Sequence, residues 1–180
     1  MHGQPVRTDP ARPLPESYWV IPDRFLAGEH PGQFSDKNTG EQLGALLAAG
    51  IDTFIDLKPP GELASCEEIL KKRSRAHGRT ISFLNFSIQD RGIPGHADMI
   101  NILDTLDRVF ANGHRVYVHC WAGVGRTGTV VGCYLVRHGG TGQQALDQIA
   151  KWWQAVPKRR FFPRSPETDE QVRFILEWKG

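Results

Sequence analysis

Cys120 and Arg126 are the residue types best suited to chemistry in this chain, and they share one short stretch, His119-Cys120-Trp121-Ala122-Gly123-Val124-Gly125-Arg126-Thr127. A cysteine thiolate is a nucleophile, and arginine presents a planar fork of donors that matches two oxygens of a phosphate. The pair stands at a change of periodicity. Val116-Tyr117-Val118 alternates as a strand, and 130–136 runs as an apolar helix. A loop between a strand and a helix N-terminus gathers backbone N–H groups, and the helix dipole favours negative charge there. A cysteine in that cradle should lose its proton easily, because the thiolate is the anion the site favours. Gly123 and Gly125 permit the tight turn that aims the amides of Trp121, Ala122, Gly123, Val124, Gly125 and Arg126 at one point. One segment thus supplies a nucleophile, an oxyanion receptor and a charge clamp.

The elements that must position this loop are legible on either side of it. Residues 1–16 hold Pro5, Pro10, Pro13 and Pro15 and read as a proline-rich flexible lead-in, leaving 17–180 as one catalytic domain. Two short strands, 18–21 and 24–27, flank a turn at Pro22-Asp23. The stretch 29–40, with Pro31, Gly32, Asn38 and Gly40, reads as loop, and 41–49 as a short helix stopped by Gly50. A buried strand, 51–57, breaks at Pro59-Pro60-Gly61, and a charged helix is expected over 62–76. Strand 80–88 runs into the loop Gln89-Asp90-Arg91-Gly92-Ile93-Pro94-Gly95. Helix 97–111 precedes the Cys120 strand, and helices 143–154 and 167–179 enclose a basic, proline-bounded loop at 157–166. This order predicts a single-domain α/β fold with a central, largely parallel sheet and helices on both faces. Ligands of such sheets bind beyond the carboxyl ends of the strands, where Cys120 would lie.

A chain of 180 residues accommodates one domain with a real core. Its 39% hydrophobic and 23% charged content is that of a soluble globular protein, and a net charge of +2 does not argue for nucleic acid. The basic clusters Lys71-Lys72-Arg73 and Lys158-Arg159-Arg160 read as solvated surface. Three cysteines, Cys66, Cys120 and Cys133, make no disulfide framework and point to a reducing, cytoplasmic setting. Cys66 and Cys133 read as core residues; either one, if close to Cys120, could form a protective disulfide with it. No apolar run reaches the roughly 20 residues of a membrane span, and the N-terminus carries no hydrophobic leader segment. A nucleotide-binding P-loop is excluded because no GxxxxGK[ST] occurs.

His119, Cys120, Arg126 and Thr127 match HCX5R(S/T), the signature of the cysteine-based protein tyrosine phosphatases, and the compact chain resembles their small dual-specificity branch. Looser similarity runs from about Tyr18 to the C-terminus. The resemblance implies that family's fold and hydrolysis of phosphate monoesters through a cysteinyl-phosphate intermediate, with no metal and no cofactor. Cys120 is then the nucleophile, Arg126 and the loop amides hold the equatorial oxygens, Thr127 is the hydroxyl partner of the sulfur, and His119 positions the loop. The general acid should come from a separate upstream loop, which selects Asp90; Asp98 is the runner-up but is explained by its place at a helix start. Arg91 reads as a solvent-facing charge. Gln171 is a conceivable counterpart of the glutamine that places the attacking water in tyrosine phosphatases, and Arg164 or Ser165 could brace the phosphate loop.

Trp121, Ala122 and Val124 include no lysine, and Trp121 with Val124 would give an apolar rim suited to an aryl phosphate. The expected substrate is a phosphorylated protein or peptide carrying phosphotyrosine, with phosphoserine and phosphothreonine also open to a shallow pocket. Inositol phosphates, phosphoinositides or an RNA 5′ phosphate form the second reading, and a phosphate-binding pseudophosphatase the reading from another class. Phosphate, vanadate or sulfate is expected to bind in the loop of a monomer, with no nucleic-acid partner and no membrane span.

Overall fold

The computed structural model describes residues 10–32, 36–76, 78 and 80–180. Strands β1 (Ser17–Ile21) and β2 (Phe25–Gly28) form the expected antiparallel hairpin, and Asp23 turns it with φ of 58°. Aspartate tolerates that left-handed setting better than bulkier residues do. Strands β3 (Thr53–Asp56), β4 (Ser82–Asn85) and β5 (Val116–His119) complete a sheet in the order β1-β2-β5-β3-β4. Every neighbouring pair after the hairpin is parallel. In register, Gly28 and Asp56 both pair with His119, and Asn85 pairs with Asp56. The segments leaving four parallel strands therefore emerge at one edge, on the same level.

Helices α1 (Asp36–Ala48), α2 (Glu67–Ala76), α3 (His96–Ala111), α4 (Gly125–Arg137), α5 (Gly142–Trp153) and α6 (Asp169–Leu176) cover both faces, as the sequence predicts. Alternation along β5 divides the core. Val116 and Val118 pack with Leu103, Val130 and Ile149 of α3, α4 and α5, whereas Tyr117 packs with Leu43, Leu46 and Leu70 of α1 and α2. Helix α4 is the central one, buried from Gly125 to Tyr134 under α3, α5 and α6.

Strands β3 and β4 and helix α6 are shorter than expected at their ends, and three further boundaries differ for reasons visible in the structure. Helix α1 begins at Asp36, running through Asn38 and Gly40 rather than starting at 41. Gly40 gives room to α2: a Cβ there would lie 3.2 Å from the guanidinium carbon of Arg73. Helix α2 begins at Glu67 and not at 62, because Glu62 closes a turn on Pro59 (N to O, 3.2 Å) and Ser65 Oγ accepts the Glu67 N–H at 3.2 Å. The flexible lead-in expected over 1–16 is corrected at its end. Leu14 is buried in the α1–α2 core, and Arg12 Nη1 donates to the carbonyls of Pro15 and Ser17, both at 3.0 Å. Residues 1–9 lie outside the described residues. Among the described residues, no helix is long and apolar enough to cross a membrane.

Candidate active site

The loop 120–124 joins β5 to α4 and bends at Gly123, whose φ is +74°. A side chain is excluded there twice over. The conformation is left-handed, and a Cβ would lie 2.6 Å from both Glu29 N and Gly28 O of the strand β2 exit. The same exit holds the loop from outside, because His30 N donates to Trp121 O at 2.8 Å. Lys158 adds a brace: its ammonium pairs with buried Glu29 and donates to Ala122 O at 3.3 Å. Lys158 is therefore tied into the fold and is not the solvated charge its sequence suggested. Burial raises the Glu29 carboxyl, and the Lys158 contact works against that rise. From the other side Ser165 Oγ donates to Val124 O at 2.7 Å, so Ser165 is the brace; Arg164 pairs instead with Asp169.

Cys120, Arg126 and Asp90 line a single pocket of about 330 Å³, together with Trp121, Ala122 and Gly125. Its outer side is completed by Arg91, Phe162 and Glu167. Cys120 is 2% exposed and Arg126 is 2% exposed, so both work at the floor of the cleft. Gly125 opens α4, whose first-turn amides have no partners within the helix and face the same end. Trp121 stands at the rim, 45% exposed, whereas Val124 is wholly buried. The apolar rim expected from Trp121 and Val124 is instead made by Trp121 and Phe162, the latter fixed by Trp153 Nε1 donating to Phe162 O at 2.8 Å.

Arg126 carries the most organised set of contacts. Nη1 and Nη2 meet Glu62 Oε2 and Oε1 at 2.8 and 2.7 Å, Nη1 also donates to Ile88 O at 3.2 Å, and Nη2 reaches Asp90 Oδ1 at 2.9 Å. Burial works against its charge, but Glu62, Cys120 and Asp90 together hold the guanidinium above its usual range. Glu62 was not singled out from the sequence, where it reads as the first residue of a charged helix. The cue that could have found it is Pro59-Pro60-Gly61 followed by Ser65, which places a loop, not a helix, at position 62. Asp90 leaves β4 on the expected loop and faces the pocket, while Asp98 lies on the exposed first turn of α3 outside it. Arg91 is exposed as expected but pairs with Glu167, Nη1 to Oε1 at 2.6 Å.

Two other expectations change, for Thr127 and Gln171, and the reading of Cys66 and Cys133 as core residues holds. Thr127 Oγ1 is buried and makes no hydrogen bond, so the bond to Cys120 is not formed in this structure. Gln171 is not on an exposed helix face. It is fully buried, Oε1 accepting from Glu167 N and Thr168 N (both 3.1 Å) and Nε2 donating to Gly92 O at 3.0 Å, so its amide is engaged at both ends. Cys66 is a free thiol held by His30 Nε2 and Pro31 O, both at 3.5 Å, and burial pushes it up to about 11; Cys133 is a free thiol in the core around α4.

Behind the loop lies a buried polar cluster. His119 stacks on Tyr117 and approaches Cys120 O through Nδ1 at 3.4 Å. Burial pushes it down to about 3, with the Lys58 ammonium adding to the effect and Asp56 opposing it. It is therefore a neutral ring packed directly behind the loop. His30, Asp56 and His119 bring ligand atoms within 4.8 Å of one another, a spacing that could hold a metal ion. The Lys58 ammonium already fills the cluster, 2.7 and 2.8 Å from the two Asp56 oxygens and 3.2 Å from His30 Nδ1. Burial alone would raise the Asp56 carboxyl, but it lies below its usual range. His119 is neutral over most of the pH scale, so Lys58 is the partner that keeps Asp56 charged.

A buried cysteine at a strand-to-helix loop, an arginine on the first turn and an aspartate from a neighbouring loop are the arrangement that the cysteine-based phosphatase signature implies. The chain belongs to that family: residues 15–175 match the family described as "Swiss Army Knife protein, DSP-PTPase phosphatase domain". It is 37% identical over 131 residues to "Protein tyrosine phosphatase domain-containing protein 1" of Mus musculus, covering 67% of this chain and 17% of that protein. The Danio rerio protein of the same name is 32% identical over 171 residues, covering 90% and 22%. The chain thus spans less than a quarter of the length of these relatives. The fold matches the crystal structure of Tk-PTP in the active form with a TM-score of 0.66 and 25% identity, over 91% of this chain and 97% of that one. It also matches PTPMT1 in complex with PI(5)P, TM-score 0.65 and 21% identity, over 90% and 93%.

Proposed function

We propose that this protein is a metal-independent phosphatase that hydrolyses phosphate monoesters on phosphoproteins, phosphotyrosine foremost, through a phosphocysteine at Cys120. The observation that carries the reading is the convergence on one pocket of Cys120 and Arg126, from the β5–α4 loop and the first turn of α4, with Asp90 from the separate loop after β4. The Cys120 thiolate attacks phosphorus, the bond to the leaving oxygen breaks, and Asp90 gives that oxygen a proton. Arg126 and the α4 amides hold the equatorial oxygens as charge spreads over them. Water then attacks the phosphocysteine, Asp90 takes its proton, and phosphate leaves with the thiolate restored.

The aromatic faces of Trp121 and Phe162 favour an aryl phosphate, and among the described residues no lysine lines the pocket to meet a polyphosphorylated inositol. Arg91, the second pocket cation, is committed to Glu167. The complex of PTPMT1 with PI(5)P keeps a phosphoinositide substrate as the alternative to test. Three free thiols fit a reducing, cytoplasmic setting, which is part of the same proposal.

The test is hydrolysis of p-nitrophenyl phosphate from pH 4 to 9 with EDTA present, in wild type, Cys120→Ser and Asp90→Ala. The expected result is a bell-shaped profile, abolished by Cys120→Ser and flattened on its basic limb by Asp90→Ala. A wild type that binds vanadate without turnover would make the protein a pseudophosphatase. Faster turnover of PI(5)P in micelles than of phosphotyrosyl peptides would replace the substrate class.

A further inference from the structure

We propose that Gln171 and the Arg91–Glu167 ion pair form a positioning clamp that sets Asp90 over the phosphate loop, so that proton donation depends on the segment entering α6. The inference rests on the reading of Asp90 as the general acid. The acid loop closes on itself where Gly92 N donates to Gln89 O at 2.9 Å, and this puts Arg91 at φ 59°. A residue with a bulky side chain holds that left-handed setting only where its surroundings over-determine it.

The surroundings that do so come from one segment. Glu167 grips Arg91 at 2.6 Å, and Gln171 Nε2 donates to the carbonyl of Gly92 at 3.0 Å. Asp90, just before these two anchored residues, reaches Arg126 Nη2 at 2.9 Å. The segment is itself fixed to the phosphate loop. Ser165 Oγ holds Val124 O at 2.7 Å, and the Gln171 amide lies so close to Gly125 that a Cβ there would be 2.9 Å from both its nitrogen and its oxygen. Residues 165 to 171 thus bracket two loops, one carrying the nucleophile and the other the acid. Distance and angle between donor and leaving oxygen are what general-acid catalysis depends on, so a slackened bracket should cost proton transfer before it costs phosphate binding.

Gln171 divides its work between two atoms, which makes the role testable. Oε1 caps α6 by accepting from Glu167 N and Thr168 N, whereas Nε2 alone holds the acid loop. Gln171→Glu keeps the capping oxygen in a Thr-x-x-Glu box and removes the donor to Gly92. The readout is kcat/KM for two esters, phenyl phosphate, whose leaving oxygen needs a proton, and 2,4-dinitrophenyl phosphate, whose leaving oxygen does not. Their ratio cancels any effect of the new charge on phosphate binding.

Asp90→Asn should lower the phenyl-to-dinitrophenyl ratio strongly. Gln171→Glu should lower it about tenfold, and Arg91→Ala about threefold, while Gln171→Glu added to Asp90→Asn should lower it no further. A ratio unchanged in both folded clamp variants, with Asp90→Asn still low, overturns the clamp and leaves Asp90 as the acid. A ratio unchanged in Asp90→Asn overturns the acid assignment and the clamp with it.

Discussion

Arg126 and Glu62 form a two-point ion pair, Nη1 to Oε2 at 2.8 Å and Nη2 to Oε1 at 2.7 Å, that fixes the plane of the guanidinium at the pocket floor. The two residues come from different strand exits, and the pair sets the direction of Arg126's fork toward a phosphate. Glu62→Gln keeps the shape and weakens the hold. Its kcat/KM for p-nitrophenyl phosphate should fall about tenfold, because a mis-set clamp loses orientation more than it gains in net positive charge. Steady-state kinetics with vanadate inhibition check this; unaltered constants would reduce Glu62 to a surface partner.

Gly123→Ala should damage both fold and activity. Its φ of +74° and the 2.6 Å approach to Glu29 N leave no place for a methyl group, so the loop or strand β2 must shift. A melting temperature lower by several degrees and turnover down about a hundredfold are expected. Retained wild-type turnover would show the loop able to form its cradle another way.

The buried Lys58–Asp56 pair should behave as a unit. Lys58→Met strands the Asp56 carboxylate without its partner, which should cost about 3 kcal/mol in urea unfolding. Adding Asp56→Asn removes the stranded charge and should restore a good part of the loss. Simple additivity of the two substitutions would contradict the coupling.

Acid should destabilise the fold through the histidines behind the loop. Folded His30 lies at about 4, pushed down by burial and then by Lys58, and folded His119 at about 3, against about 6.5 in an unfolded chain. Between those limits the unfolded chain binds protons that the folded one does not. Stability is therefore fully present above about 6.5 and is lost as pH falls toward 4 and then 3, by a few kcal/mol in all. Urea midpoints from pH 7 to 4 measure the slope. His30→Gln should flatten it, and an unchanged slope would assign the acid sensitivity to other groups.

The local pattern was enough for much of this. Alternation in Val116-Tyr117-Val118 and helical spacing after Val130 located the strand and helix, and the residues between them declared their chemistry by type. Asp90 was legible through its loop, which follows a strand where the resemblance calls for a separate acid. A turn aspartate of the ordinary kind fits the same pattern, and only its place in the pocket with Cys120 and Arg126 separates the two. Gln171 was visible only as a residue type. Its actual partners, Gly92 O and two amides of its own segment, depend on how α6 meets the acid loop, and no spacing rule encodes that meeting.

By itself, the sequence determined the hairpin, the parallel sheet, the helix pattern and the loop that places Cys120 at a strand's carboxyl end. These follow from periodicity and backbone preference, which act over a few residues. Only the tertiary structure decided which charges meet. Glu62 joins Arg126, Lys58 fills the His30–Asp56 cluster, Lys158 ties Glu29 to the phosphate loop, and Val124 turns inward while Phe162 takes its place at the rim. Each of those partners is brought in by packing from a distant part of the chain, and desolvation makes pairing obligatory once the groups are buried.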